Sequence, residues 1–114
     1  MNKKFDLEER TARFGEEVIK FVKTLPTNEI TRPLITQLVK CGTSVGANYC
    51  EADDAESRKD FKHKIGICKK EAREVKHFLR MIAKATPNYI KPARKLWDEA
   101  RELNLILNSI YKKL

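Results

Sequence analysis

The fold is decided by the stretch Ser57–Ala85, which reads SRKDFKHKIGICKKEAREVKHFLRMIAKA. Its apolar residues recur at alternating steps of four and three, a spacing typical of bundle helices that cross at about +20°. Ser57 can cap the first turn, and Asp60 three residues later completes a pattern resembling a capping box. We therefore predict a helix that buries one row of apolar residues: Phe61, Ile65, Cys68, Ala72, Val75, Leu79 and Ile82.

Working outward from this stretch, strong helix formers fill the chain between two proline-containing zones, Leu25–Pro33 and Thr86–Pro92. We predict three further helices over about Asp6–Leu25, Arg32–Asp54 and Lys91–Lys113. Matched lengths and short turns favour antiparallel neighbours. The sequence thus predicts an all-α, antiparallel, up-down-up-down four-helix bundle that forms a single domain over residues 1–114.

Composition narrows the class of protein. With 114 residues, 41% hydrophobic and 35% charged, the chain suits one folded domain and not a disordered one. It has no apolar run of about 18 residues for a membrane helix, and Met1–Asp6 show no signal-peptide core, so we expect a cytoplasmic protein without membrane partners. Three cysteines without a C-x-x-C pair favour buried apolar residues over a disulfide framework or zinc site.

The net charge of +8 is concentrated in one helix. Residues 58–84 hold ten basic and three acidic residues, or +7, whereas residues 1–57 carry −2. An ordinary solvated face is the simple interpretation, but like charges with few acidic partners repel unless a polyanion neutralises them. We predict RNA or DNA binding, or binding of an acidic protein, by seven residues here called the basic stripe: Arg58, Lys62, Lys69, Arg73, Lys76, Arg80 and Lys84.

Two further sets of residues stand out from the core pattern. The second helix carries a polar stripe, for which we expect a network of hydrogen bonds between helices, with a small-molecule pocket as the alternative. It comprises Gln37, Ser44, Asn48 and Glu51. The third and fourth helices carry more apolar residues than one core needs, which predicts a homo-oligomer interface. This interface set comprises Ile67, Phe78, Trp97, Leu105 and Ile106.

The second helix also carries a family resemblance. The run from Gln37 through Lys40-Cys41, Ser44-Val45 and Asn48-Tyr49-Cys50-Glu51-Ala52, followed by Ser57-x-x-Asp60-Phe61 and Lys70-Glu71-Ala72-Arg73-Glu74, resembles the bacterial 23S rRNA intervening-sequence proteins. That family is similar to the accessory variability proteins of diversity-generating retroelements. The resemblance implies a homopentameric four-helix bundle that binds RNA or a nucleoprotein partner such as a reverse transcriptase. It implies no catalytic residues and no cofactor.

Enzymatic chemistry finds little support in the residues themselves. A di-iron bundle needs two Glu-x-x-His strings, but only Glu74-Val75-Lys76-His77 is present, and His63 lies too far away to share a metal. The acidic residues between Glu51 and Glu56 suit the N-terminus of the third helix better than a cation site. We therefore expect a non-enzymatic binding protein without metal or cofactor. The alternatives are an adaptor for an acidic protein partner and a small-molecule-binding bundle.

Overall fold

The computed structural model describes residues 6–114. The expectation about a signal peptide concerns Met1–Asp6, of which all but Asp6 lie outside the described residues. Over the described residues the protein is all-α, with helices α1 (Leu7–Val22), α2 (Thr31–Asp53), α3 (Arg58–Ala85) and α4 (Ile90–Lys112). A 3₁₀ turn, Pro87–Tyr89, leads into α4. The long dimension of 44 Å matches the 28 residues of α3, which span about 42 Å at 1.5 Å per residue.

Local capping explains where the helices begin. The Asp6 carboxylate accepts from the backbone N–H of Glu9, and the Ser57 hydroxyl accepts from that of Asp60, as its sequence position predicts. The carboxamide oxygen of Asn28 accepts from the N–H groups of Ile30 and Thr31, at 2.9 Å each. These side chains satisfy backbone donors that a helix start leaves without partners.

Pairs of residues across the helix contacts show that neighbouring helices run antiparallel. Along α3 and α4, Arg58 contacts Lys113, Lys69 contacts Asn108, and Lys76 lies beside Trp97, so one number rises as the other falls. Gly42 lies against Val18 and Gly46 against Thr11, so α2 also runs antiparallel to α1. Glu51 at the end of α2 contacts Lys64 near the start of α3. The order is therefore up-down-up-down.

The four apolar rows meet in one core. All the residues predicted for the α3 row are buried except Phe61, which is half-buried near the end of the bundle. Helix α4 buries a row of its own, and α1 contributes Phe14, Val18 and Phe21. The α4 row comprises Ala93, Leu96, Ala100, Leu103 and Leu107. The sequence pattern thus places the core correctly.

Helices α1 and α2 approach closely because glycine lies between them. A Cβ atom at position 42 would lie 3.0 Å from both γ-carbons of Val18, and one at position 46 would lie 3.2 Å from the carbonyl oxygen of Thr11. Helices α1 and α4, by contrast, enclose an open cleft of about 1090 Å³, floored by Phe14, Phe21 and Leu96. The first helix is therefore held mainly by α2.

Candidate nucleic-acid interface

The basic stripe follows the flank of α3 that faces α4. The ammonium groups of Lys62 and Lys69 lie 4.9 and 4.5 Å from the ring centroid of Tyr111, and that of Lys76 lies 5.4 Å from the ring of Trp97. Ring faces attract cations through their quadrupole. Lysines spaced seven residues apart are thereby aligned along the junction of the two helices.

Amide side chains of α4 fix this alignment. Lys69 Nζ lies 3.1 Å from Asn108 Oδ1, and Asn104 Nδ2 donates to the carbonyl oxygen of Lys69 at 2.7 Å. These two asparagines are not among the residues predicted for the site. A signal was present, because Trp97, Asn104, Asn108 and Tyr111 follow steps of seven, four and three on one flank of α4.

The charge of the basic stripe is uncompensated by nearby carboxylates. Over residues 6–114, none of its seven cations has a carboxylate oxygen within 4.0 Å. Over the same residues four cations outside the stripe do have such partners, among them Lys64 with Glu51 at 2.7 Å and Arg13 with Glu9 at 3.2 Å. Arg58, Arg73, Arg80 and Lys84 are also exposed. The α3 side of the bundle thus presents an extended positive surface.

A cavity of about 390 Å³ interrupts this surface beside Trp97. The guanidinium of Arg94 lies 5.8 Å from the centroid of the same indole ring that Lys76 approaches. Residues from both helices line the cavity: Leu79, Arg80, Ala83, Ile90, Ala93, Arg94 and Trp97. An aromatic ring, cations and open space therefore occur together at one point of the positive surface.

The polar stripe of α2 differs from its expected role. Asn48 is half-buried, and its Nδ2 donates to the carbonyl oxygen of Ser44 in the same helix at 2.9 Å. The expectation that Asn48 bridges two helices is therefore corrected, since the carbonyl four residues earlier is its partner. Within the described part of the chain, Glu51 alone of the four joins another helix, through Lys64. Gln37 is exposed.

The interface set is distributed over more than one flank. Ile67 lies beside Lys64 on the α2 side of α3, whereas Trp97 lies on the α3 side of α4. Phe78, Trp97 and Ile106 are half-buried and pack against the protein's own core, whereas Leu105 is 53% exposed. Three exposed isoleucines escaped the sequence analysis: Ile19, Ile30 and Ile90. The structure does not gather the five predicted residues into a single patch.

The titratable groups near the core offer no activated nucleophile among residues 6–114. Burial raises the pKa of the Cys41 thiol and of the Cys68 thiol to about 12, so both stay protonated at neutral pH. Cys50 is exposed. No group of three or more potential metal ligands occurs in the same range, and none of the four helices is long and apolar enough to cross a membrane.

Comparison with known proteins identifies the family. The model of the 23S rRNA-intervening sequence protein family matches residues 3–111, which is almost the whole chain. The chain belongs to this family. The resemblance drawn from residues 37–74 is thereby confirmed. No curated protein matches the sequence.

A solved structure supports the same assignment. A protein of unknown function from the S23 ribosomal protein family of Bacteroides thetaiotaomicron superimposes with a TM-score of 0.80 at 28% identity. The alignment covers 92% of this chain and 97% of that protein. The four-helix arrangement is therefore shared by this member of the 23S rRNA-intervening sequence family and its structural neighbour.

Proposed function

We propose that this protein is a non-enzymatic, homo-oligomeric scaffold that binds RNA, or a nucleoprotein containing RNA, through the basic stripe. The observation that carries the proposal is the row of seven cations along α3 without carboxylate partners in the described chain. Such a row gains free energy on a phosphate backbone because condensed counterions are released. The family name, which refers to 23S rRNA, favours RNA over DNA.

The stripe favours binding to phosphates over reading of sequence. Lysine and arginine contacts to phosphates position a nucleic acid, whereas base edges specify sequence. Exposed stripe residues such as Arg73 and Lys84 carry charge without holding the helices together. Affinity should therefore depend strongly on salt and only weakly on RNA sequence.

The two exposed residues provide the test. Arg73→Glu combined with Lys84→Glu reverses two charges and lowers the net charge by four units, and it leaves the contacts of Lys69 and Lys76 to α4 in place. Fluorescence anisotropy of a labelled mixed-sequence RNA, from about 50 to 200 mM salt, should show weaker binding and a slope shallower by about 0.7 per lost phosphate contact on a single strand.

The matched control changes the same number of charges elsewhere. Lys20→Glu combined with Lys23→Glu alters exposed cations of α1 and the turn after it, and it should leave the salt slope as in the wild type. Equal weakening by both pairs would show that net charge alone matters. Absence of salt-dependent binding to any RNA by the wild type would refute the proposal and favour an adaptor for an acidic protein.

A further inference from the structure

Trp97 combines three features that its role in the bundle does not require. It is the single tryptophan of the chain and is half-buried at the α3–α4 junction. Two cations, from Lys76 and Arg94, lie within 6 Å of its ring centroid. The cavity of about 390 Å³ beside it falls in the size range of ligand sites, about 300–1,000 Å³. A ring that served only the core would have no need of adjoining space.

Tyr111 provides an internal comparison. Its ring is also approached by two lysines, but it packs directly over Gly66, where a Cβ atom would lie 3.1 Å from Tyr111 Cε1. Tyr111 therefore fills the gap between α3 and α4, whereas Trp97 borders a gap that stays open. Small side chains keep it open, because Ala83 of α3 and Ala93 of α4 form part of its wall.

We infer that Trp97 and its cavity receive one unpaired base of a single-stranded RNA, stacked on the indole ring. This inference rests on the proposed function and specifies its ligand. Every base has a π face, so stacking on an aromatic side chain tolerates any sequence. A base within a duplex is already stacked on its neighbours and is not free to enter, so the site selects single strands or loops.

The surrounding cations fit the same ligand. A base that enters displaces Lys76 or Arg94 from the ring, and the displaced cation can bind the adjoining phosphate. Arg80 lies on the cavity wall and is exposed, so it can contact the next phosphate. The cations beside Trp97 thus contact the ring in the free protein and phosphates in the complex. The phosphate contacts offset the free energy lost when a cation leaves the ring.

Three variants separate stacking from charge. Trp97→Leu removes the ring, Trp97→Phe keeps an aromatic face, and Ala83→Leu fills the cavity while leaving every cation and the ring in place. Ile19→Ala, which truncates an exposed side chain of α1 away from the cavity, is the control. Circular dichroism and thermal melting establish that each variant is folded.

Anisotropy should then be measured with one labelled RNA of about 12 nucleotides, alone and as a perfect duplex. Trp97→Leu and Ala83→Leu should weaken binding of the single strand by about tenfold, within the range of 5- to 150-fold for one base stack, and leave binding of the duplex unchanged. Trp97→Phe should keep most of the affinity. Because Trp97 is the single tryptophan, its fluorescence should be quenched by the single strand and not by the duplex.

The outcomes distinguish this inference from the proposed function. If the charge reversals weaken RNA binding but Trp97→Leu and Ala83→Leu do not, the stacking site is refuted and the basic stripe stands. If Trp97→Leu weakens single strand and duplex equally, Trp97 only supports the fold of the surface. If the wild type binds no RNA, both proposals fail. Should Trp97→Leu unfold, the Ala83→Leu variant and the quenching of the wild type still decide.

Discussion

Arg10 and Glu99 form a bidentate ion pair that joins α1 to α4. The Nε and Nη2 atoms of Arg10 donate to the two carboxylate oxygens of Glu99 at 2.8 Å each, and Nη2 also lies 3.2 Å from Glu102. The hydrogen bond with Glu99 raises the pKa of Arg10 above its ordinary value. This geometry is the strongest that arginine and carboxylate adopt. It lies where the two helices are otherwise separated by a cleft.

Removing this pair should destabilise the protein. The side chains of Arg10 and Glu99 are 30% and 34% exposed, so we expect Arg10→Met to cost about 1 kcal/mol and to lower Tm by a few degrees. A raised arginine pKa stabilises the fold at every pH below the ordinary value, so Arg10 itself introduces no pH dependence between pH 6 and 9. Urea unfolding at both pH values measures the effect.

Arg13→Met provides the matched control for that experiment. Arg13 pairs with Glu9 within one helix, and both side chains are more than 60% exposed. Such pairs contribute little, about 0.3–0.5 kcal/mol. Equal losses of stability in the two variants would show that the ion pair with Glu99 does not hold α1 against α4.

The glycines of the α1–α2 contact should respond oppositely to alanine. Gly42→Ala places a methyl group 3.0 Å from the fully buried Val18, which cannot move aside, and overpacking of this kind costs about 1–3 kcal/mol. At Gly15 the nearest atoms would lie at 3.5 Å, an ordinary contact. Gly15→Ala should therefore gain part of the roughly 1 kcal/mol of helix propensity. Thermal melting compares them, and a stabilised Gly42→Ala variant would contradict the close approach.

Glu71 should make stability depend on pH. Burial, and after it the carboxylate of Glu74, raises the pKa of Glu71 above its ordinary 4.5. The folded state then holds this proton more tightly than the unfolded state, so its contribution to stability falls as pH rises from 4.5 through the raised value. Glu71→Gln should be more stable than the wild type at pH 7, and this advantage should vanish at pH 4. Urea unfolding of both proteins at pH 4 and pH 7 measures the difference, and equal stability at pH 7 would contradict the prediction.

Self-association is expected from the members of the interface set other than Trp97 and, in number, from the family resemblance. A closed ring requires two different faces on each copy, which suits apolar residues that lie on more than one flank. Five chains of 13.3 kDa would give a mass of about 66.5 kDa by light scattering. Leu105→Glu combined with Ile67→Glu should lower that mass. A wild-type mass of 13.3 kDa at micromolar concentration would exclude the oligomer.

The sequence predicts the fold well because helix periodicity reports directly on burial. The steps of four and three from Ile65 to Ile82 identify buried residues without reference to any other helix. The helix boundaries differ from the predicted ones by up to three residues. Helix α1, for example, ends at Val22 and not at Leu25, because Leu25 is buried although it lies in the turn after the helix.

The candidate site is predictable only in part. The basic stripe follows from spacing, since it lies on one helix. The cavity beside Trp97 does not, because it depends on the separation of α3 and α4 where Ala83 and Ala93 line it. For the same reason the sequence alone places Trp97 in a subunit interface, since its neighbours Lys76 and Arg80 come from another helix. For Asn48 the sequence predicts a partner in another helix, but its side chain donates to the carbonyl oxygen of Ser44 in its own helix.

Because an open cleft separates α1 from α4, we expect α1 to unfold before the other helices. With 16 residues, α1 is barely longer than the length at which isolated helices become marginal in water, about 12–15 residues. The stability of α1 therefore depends on its close contact with α2 at Gly42 and Gly46 and on the ion pair between Arg10 and Glu99. Backbone amides of α1 should accordingly exchange hydrogen through a partial opening, well before those of α3, whose protection follows global unfolding. We therefore expect α2, α3 and α4 to unfold as one cooperative unit, from which α1 can separate first.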